Sequence, residues 1–318
     1  MKVIIPMAGR GTRLRPHTNT IPKPLLKLCG KSIIEWIVEE IKISTNNPIE
    51  EIHFIIGEFG KEVEKLLINT AEKIGSKGFI HYQHEALGTA HAIYCAKEAL
   101  QDVVFVVFAD TIFKGKINID KNVDGIIWTM LVDNPEKYGV VRKDENDIIS
   151  EFVEKPKNFV SKNAIVGLYY FKEAQKLKFE LQHLIENNLR ENNEFQLTNC
   201  LETLKAKGDI LKCAELEEWL DCGNKNELLA TNSRIVEISG IKNYIAETSN
   251  VINSKIKGFS TIEENVIIEN SDLDNCIVFE GAEIKNSKLN NSIIGSFCKV
   301  NNAKGRMFLG DHSEYEGI

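Results

Sequence analysis

The chain has 318 residues, 43% of them hydrophobic, enough to bury a substantial core and compatible with one large domain plus one small one. Its 39 basic against 46 acidic residues give a net charge of -7, which argues against general affinity for nucleic acid or anionic membrane surfaces, so any phosphate chemistry must use a local cluster. The opening "MKVIIPMAGRG" lacks the order of a secretion signal and no apolar run is long enough to cross a bilayer, so a soluble cytoplasmic protein is expected. Seven scattered cysteines without a C-x-x-C pair fit neither a disulfide framework nor a thiolate metal site, and predict reduced, mostly buried thiols.

In chain order, the short apolar run "KVII" predicts a first strand, and the glycine-rich "PMAGRGTRLRPHTNTIPKPLL" follows it directly. "SIIEWIVEEI" has helical spacing, with Ile33, Ile34, Ile37, Val38 and Ile41 on one face. The β-rich runs "IHFII", "VVFVVF", "DGIIWTMLV" and "AIVGLYYF" come next, separated by segments of helical periodicity, as far as about residue 240. Strands alternating with helices predict an α/β fold, a mostly parallel sheet flanked by helices, which binds ligands at the carboxyl ends of its strands.

Beyond about residue 244 the helical spacing vanishes and a repeat appears: "IENSDLDNCIVFEGAE" (268–283) aligns with "IKNSKLNNSIIGSFCK" (284–299). Ile268, Leu273, Val278, Ile284, Leu289, Ile294 and Val300 recur every five or six residues, too long for a strand period and too regular for a loop. Three short faces per turn, stacked turn on turn, describe a parallel β-helix with inward aliphatics. The pattern resembles hexapeptide-repeat left-handed β-helices, so two domains are expected, 1–240 and 241–318.

Three glycine-loop patterns compete for "AGRGTRL". The dinucleotide fingerprint needs a small residue three positions after Gly11, where Leu14 stands. A Walker A loop ending at Gly30-Lys31-Ser32 would need a glycine at position 25, which is leucine. The third pattern, A-G-x-G-T-R-L-x-P-x-T followed by P-K-P, matches at Ala8, Gly9, Gly11, Thr12, Arg13, Leu14, Pro16, Thr18, Pro22, Lys23 and Pro24. Glycines let backbone N–H groups approach a triphosphate, Arg13 offers a planar fork to phosphate oxygens, and Lys23 adds a compact charge.

That run resembles the sugar-nucleotidyltransferase family, the nucleoside-diphosphate-sugar pyrophosphorylases, and the resemblance extends over roughly residues 1–235. It implies a Rossmann-like nucleotidyltransferase fold, with Ala8, Gly9, Gly11, Thr12 and Arg13 binding the nucleotide. In "YQHEALGTAHA", Gln83, Gly88 and Thr89 would read the base, as in members that use thymidine or uridine nucleotides. Neither His84 nor His91 receives a role in the chemistry. Asp110, ending "VVFVVFAD", would bind Mg²⁺ with Asp221 of "EWLDCG", where Trp219 and Gly223 complete the motif. Taken alone, Asp110 could equally cap the next segment.

In "KYGVV…IISEFVEKP" the resemblance assigns Tyr138, Gly139, Glu154 and Lys155 to the sugar phosphate, with Gly167 and Tyr169 of "AIVGLYYF". Ile165 stands where N-acetylglucosamine-using members often have asparagine, which favours a plain hexose. The expected reaction joins dTTP, with UTP as the near alternative, to glucose 1-phosphate, using Mg²⁺, Arg13, Lys23 and Asp110. A silent sugar-nucleotide sensor is the rival reading, although the charged site residues are all present. An acyltransferase on the coils is the other, against which stand the few coils and the single histidine there, His312. The coils are expected to serve structure and assembly, leaving open ends on which a homo-oligomer could form.

Overall fold

The computed structural model describes residues 1–9 and 11–317. It forms two compact units, Met1–Gly9 with Ile37–Trp219, and Arg10–Trp36 with Leu220–Ile318. The last helix is Lys225–Ile238, and the first coil strand is Tyr244–Ile245. Compactness divides elsewhere, because the segment around the glycine loop groups with the coils.

The first unit is built on a nine-stranded sheet. Lys2–Pro6 lies parallel between Glu51–Ile56 and Val104–Val107, and Lys77–Tyr82 extends the sheet beyond Glu51–Ile56, also in parallel. Asn163–Phe171 is antiparallel to Val104–Val107, to Gly125–Leu131 and to Gly139–Lys143, which in turn pairs antiparallel with Ile149–Glu154. Leu211–Glu215 closes the other side, parallel to Gly125–Leu131. The sheet is therefore mixed. The connections between residues 131 and 163 carry no α-helix, only the short 3-10 turn Pro135–Lys137, and without a crossover helix consecutive strands turn back on one another. Ile4, Val104, Val106 and Ile127 form the core with Leu177, Leu181 and Leu201 from the helices Ala174–Glu186 and Leu197–Ala206.

All five predicted aliphatics of the helix Ile33–Ser44 are buried. The helix starts at a capping box in which Glu35 accepts from the Ser32 amide (3.1 Å) and hydroxyl (2.8 Å). All seven cysteines are free, five of them buried.

In the second unit the chain winds into a parallel β-helix. Val251, Ile268, Ile284, Val300 and Tyr315 fall in register down one face, Ile256, Leu273 and Leu289 down a second, and Ile262, Val278, Ile294 and Leu309 down the third. The repeat aliphatics from Ile268 to Val300 form a separate core. A serine ladder threads the turns: the amides of Ser271, Ser287 and Ala303 donate to the hydroxyls of Ser254, Ser271 and Ser287. Asn253, Asn270, Asn286 and Asn302 take the left-handed conformation at one corner, which asparagine tolerates better than other side chains.

Candidate functional site

Strand order reverses chain order beside Lys2–Pro6, giving the switch point at which open α/β sheets bind ligands. Ala8 and Gly9 follow that strand, and Asp110 follows its neighbour Val104–Val107. Backbone bonds hold both turns: the Met7 amide donates to the Ile55 carbonyl (2.8 Å) and the Ala109 amide to the Pro6 carbonyl (3.4 Å). A Cβ on Gly9 would meet nothing within 4 Å, so packing does not require the glycine and the space above it is open.

Gln83 lies just past Lys77–Tyr82 and is buried. Its Nε2 is 3.1 Å from the Gly88 carbonyl and 3.0 Å from His91 Nδ1. Burial lowers the His91 pKa, which favours the neutral ring and an acceptor at Nδ1. With both amide hydrogens so used, the side chain offers Oε1 to an incoming base. His91, which the sequence left without a role, thus fixes the amide. Gly88 has φ 108°, and a Cβ there would fall 2.6 Å from the Phe195 carbonyl oxygen, so only glycine admits this close approach. The Thr89 hydroxyl accepts from the Leu197 amide (3.0 Å), where it serves the start of the helix Leu197–Ala206.

In the expected sugar-phosphate region, Glu154 stands opposite Gly139 in the antiparallel register, and a Cβ on Gly139 would lie 3.0 Å from Glu154 Oε2. Glu154 Oε1 pairs with Lys155 Nζ at 3.3 Å, and the Thr198 hydroxyl donates weakly to Oε2 at 3.4 Å. Lys155 itself is left-handed at φ 42°, with its amide donating to the Tyr138 carbonyl (3.1 Å) and its side chain half-exposed. Gly167, φ 101°, lies within an irregularity of register, and its carbonyl accepts from the Phe108 amide at 2.9 Å. Tyr169 is buried, and burial first, then the carboxylates of Glu154 and Asp110, push its pKa up. Both carboxylates thus bear electrostatically on the one phenol. Tyr138 meets Trp219 edge-on at 5.1 Å, and the buried Trp219 Nε1 has no partner among the described residues.

In the second unit, Gly11 is left-handed at φ 58° and its carbonyl accepts from the Thr18 hydroxyl (2.8 Å). A Cβ on Gly11 would lie 3.0 Å from Lys23 Cβ, so the absent side chain lets the two limbs of the loop close together. Buried Leu14 anchors the short 3-10 turn Thr12–Leu14, which leaves Thr12 and Arg13 exposed, while Lys23 is half-buried. The Asp221 Oδ1 accepts from the Gly223 amide at 2.7 Å. A Cβ on Gly223 would be 2.9 Å from that oxygen and 3.1 Å from Glu227 Oε2, which makes Glu227 an unforeseen second carboxylate there.

Among the described residues no three His, Cys, Asp or Glu side chains gather as a metal cluster. Asp110 and Asp221 are half-buried oxygen donors. Each is an oxygen donor of the kind that suits Mg²⁺, which takes one or two carboxylates, keeps waters and accepts phosphate oxygens for the rest.

Glycine-lined backbone at a switch point, beside a carboxylate and a fixed amide, defines an α/β protein that handles nucleotides. A family model described as nucleotidyl transferase matches residues 2–237, and the chain belongs to that family. Bifunctional protein GlmU of Methanococcus maripaludis (strain C5) is 33% identical over 267 residues, covering 79% of this chain and 60% of the relative. The low-salt glycan biosynthesis nucleotidyltransferase Agl11 of Haloferax volcanii is 29% identical, covering 76% of this chain and 68% of that protein. The chain thus spans about three fifths of the length of the GlmU proteins it matches. In fold it is similar to a UDP-glucose pyrophosphorylase complexed with UDP-glucose, with a TM-score of 0.62 at 23% identity over 74% of this chain and 98% of the other. A protein assigned as glucose-1-phosphate thymidylyltransferase from Bacillus anthracis gives 0.63 at 23% identity over 73% and 94%.

Proposed function

We propose that the chain joins a nucleoside triphosphate to a sugar 1-phosphate, giving an NDP-sugar and pyrophosphate. The observation that carries this reading is the glycine-bearing turn after Lys2–Pro6, at the switch point of the sheet and tied by backbone to the turn that bears Asp110. An oxygen of the sugar phosphate attacks the α-phosphorus in line, a new P–O bond forms, and the bond to the bridging oxygen breaks as pyrophosphate leaves. No covalent enzyme intermediate is needed. Arg13 and Lys23 hold the triphosphate, with Ala8, Gly9, Gly11 and Thr12 offering backbone at close range. Lys155 holds the sugar phosphate, and Glu154 accepts from sugar hydroxyls. Bound Mg²⁺ would neutralise phosphate charge between the two anions. Asp110 and Asp221 are the residues that would hold it. What the protein contributes is alignment and charge placement.

Gln83 Oε1 can accept from the imide N–H of thymine or uracil, which supports a pyrimidine nucleotide; dTTP is favoured and UTP is the close alternative. Glucose 1-phosphate is the favoured sugar. The test is pyrophosphate release, with Mg²⁺, from four triphosphates against glucose, galactose, mannose and N-acetylglucosamine 1-phosphates. Release is expected only when a pyrimidine triphosphate and a hexose 1-phosphate are both present, fastest with dTTP and glucose 1-phosphate. Preference for ATP or GTP would reject the role of Gln83, and silence with every pair would leave a binding protein.

A further inference from the structure

The coils carry none of the residues assigned to the reaction, but they hold the loop that does. After Lys23 the chain makes a short hairpin, Lys27–Leu28 with Lys31–Ser32, turned by Cys29 (φ 53°) and Gly30 (φ 79°), the pair of positive angles of a type I′ turn. Two consecutive coil glutamates grip it. Lys27 Nζ donates to both oxygens of Glu264, at 3.0 and 2.9 Å, and the Gly30 amide donates to Glu263 Oε1 at 2.9 Å. Glu263 is fully buried, and its Oε2 has no partner among the described residues. A buried carboxyl so poorly satisfied is unfavourable for stability alone.

The other limb of the loop is pinned as well. His17, four residues after Arg13, is 1% exposed, with ring centroids 6.3 Å from Phe279 and 6.4 Å from Phe308. Thr20 donates to Asp311, and Lys225 Nζ donates to the Arg15 carbonyl at 2.7 Å. A Cβ on Gly310 would come within 2.8 Å of Pro16 Cβ. The loop between Gly11 and Ser32 therefore touches the coils on both sides of Lys23.

We propose that the coils are the positioning element of the nucleotide-binding loop, with Glu263 and Glu264 as positioning residues acting through Gly30 and Lys27 on Lys23. The proposal rests on the nucleotidyltransferase reading for its kinetic consequence, but its structural consequence stands without it. It revises the expectation that the coils serve only structure and assembly.

Lys27→Glu turns the ion pair into a repulsion among three carboxylates, and neither Lys27 nor its partner is assigned to substrate. In the full chain this variant is expected to raise the KM for the triphosphate about tenfold, leaving kcat and the KM for the sugar phosphate within about twofold. Hydrogen exchange at amides 12–31 should quicken while amides 104–113 stay as in the wild type. Adding Glu264→Lys should restore both readouts by re-forming the pair with opposite sense. Glu269→Gln, which breaks a coil ion pair with Lys285 away from the loop, is the control and should change neither. Unchanged loop exchange in Lys27→Glu would overturn the proposal, as would a general loss of protection that the second substitution does not rescue. If the wild type turns over no substrate pair, the activity reading fails, and exchange at amides 12–31 alone decides the role of the coils.

Discussion

The two units fix their candidate residues by different means. In the first, Asp110, Gln83 and Gly167 stand at strand ends or at an irregularity of a strand, and the frame beneath them is apolar: Ile4, Val104, Val106 and Leu168 are all fully buried. In the second, the loop from Gly11 to Ser32 has Leu14, Leu25, Leu26 and Leu28 as apolar anchors and Pro16 close against Gly310, but polar contacts carry much of its fixation. An ion pair, an amide bonded to a buried glutamate and a buried histidine hold it. Apolar burial hardly responds to pH or salt, whereas charged and titratable mounts do. The residues proposed for the reaction thus come from one frame that tolerates a change of solution and one that reports it.

The largest effect should come from the first unit, and it should be chemical rather than structural. Asp110→Asn is expected to lower kcat by roughly two to three decades, about 3–4 kcal/mol of transition-state stabilisation. Its circular dichroism and melting temperature should stay as in the wild type, because the side chain is half-buried on a turn and outside the apolar core. A fall in melting temperature matching the lost activity would show that Asp110 supports the frame, and the contrast between the units would lose its first half.

The next effect belongs to His17. Burial, then the nearby positive charge of Lys225, lowers its pKa from 6.5 to about 4, with Asp311 pulling the other way. The folded state therefore binds fewer protons than the unfolded state between those values. The stability that a neutral His17 contributes is present above pH 6.5 and is lost as pH falls towards 4, by about 3 kcal/mol. Glu263 slopes oppositely, since burial raises its pKa from 4.5 to about 7 and stability falls as pH rises through that window. Urea unfolding of wild type and His17→Leu at pH 7 and pH 4 separates the two, because Glu263 is common to both proteins. The leucine variant should gain on the wild type by about 3 kcal/mol between those pH values. An equal response of both proteins would mean that His17 titrates normally and does not pin the loop.

Much of this contrast was legible in the sequence, and unevenly so. Every quoted apolar run became a strand, because burial on both faces leaves a continuous hydrophobic signature. Lys77–Tyr82 escaped notice: as an edge strand it alternates half-buried and exposed residues and includes Lys77 and Gly78. The coils were visible through their aliphatic spacing, and Asn253, Asn270, Asn286 and Asn302 at the corner were a second signal that went unread. Glycine positions in the site were readable because Gly11 and Gly88 answer to backbone angle and close approach. His91 and Glu227 were not, and Trp219 was readable only as part of its motif, since their surroundings depend on which atom faces which partner across the fold. The grip of Glu263 and Glu264 on the loop joins positions more than 230 residues apart, and no local pattern encodes it.

The smallest effect is the stability contribution of the Lys27–Glu264 pair, and its smallness is what sharpens the comparison. The two side chains are 39% and 35% exposed, so water already screens them. Exposed ion pairs contribute about 0.2–1 kcal/mol. Glutamine at 264 keeps an oxygen that can accept from the lysine, so Glu264→Gln should lower the unfolding free energy by less than about 1 kcal/mol at low salt. The Debye length falls from about 10 Å at 0.1 M to about 3 Å at 1 M, so this difference should shrink further in 1 M NaCl. A loop can nevertheless loosen locally at a free-energy cost far below that of global unfolding. Amide exchange at 12–31 should therefore respond to Glu264→Gln at low salt more clearly than the unfolding midpoint does. A loss above 2 kcal/mol that persists in 1 M NaCl would place the pair among well-shielded contacts, and the loop would then be held as firmly as the strands of the first unit.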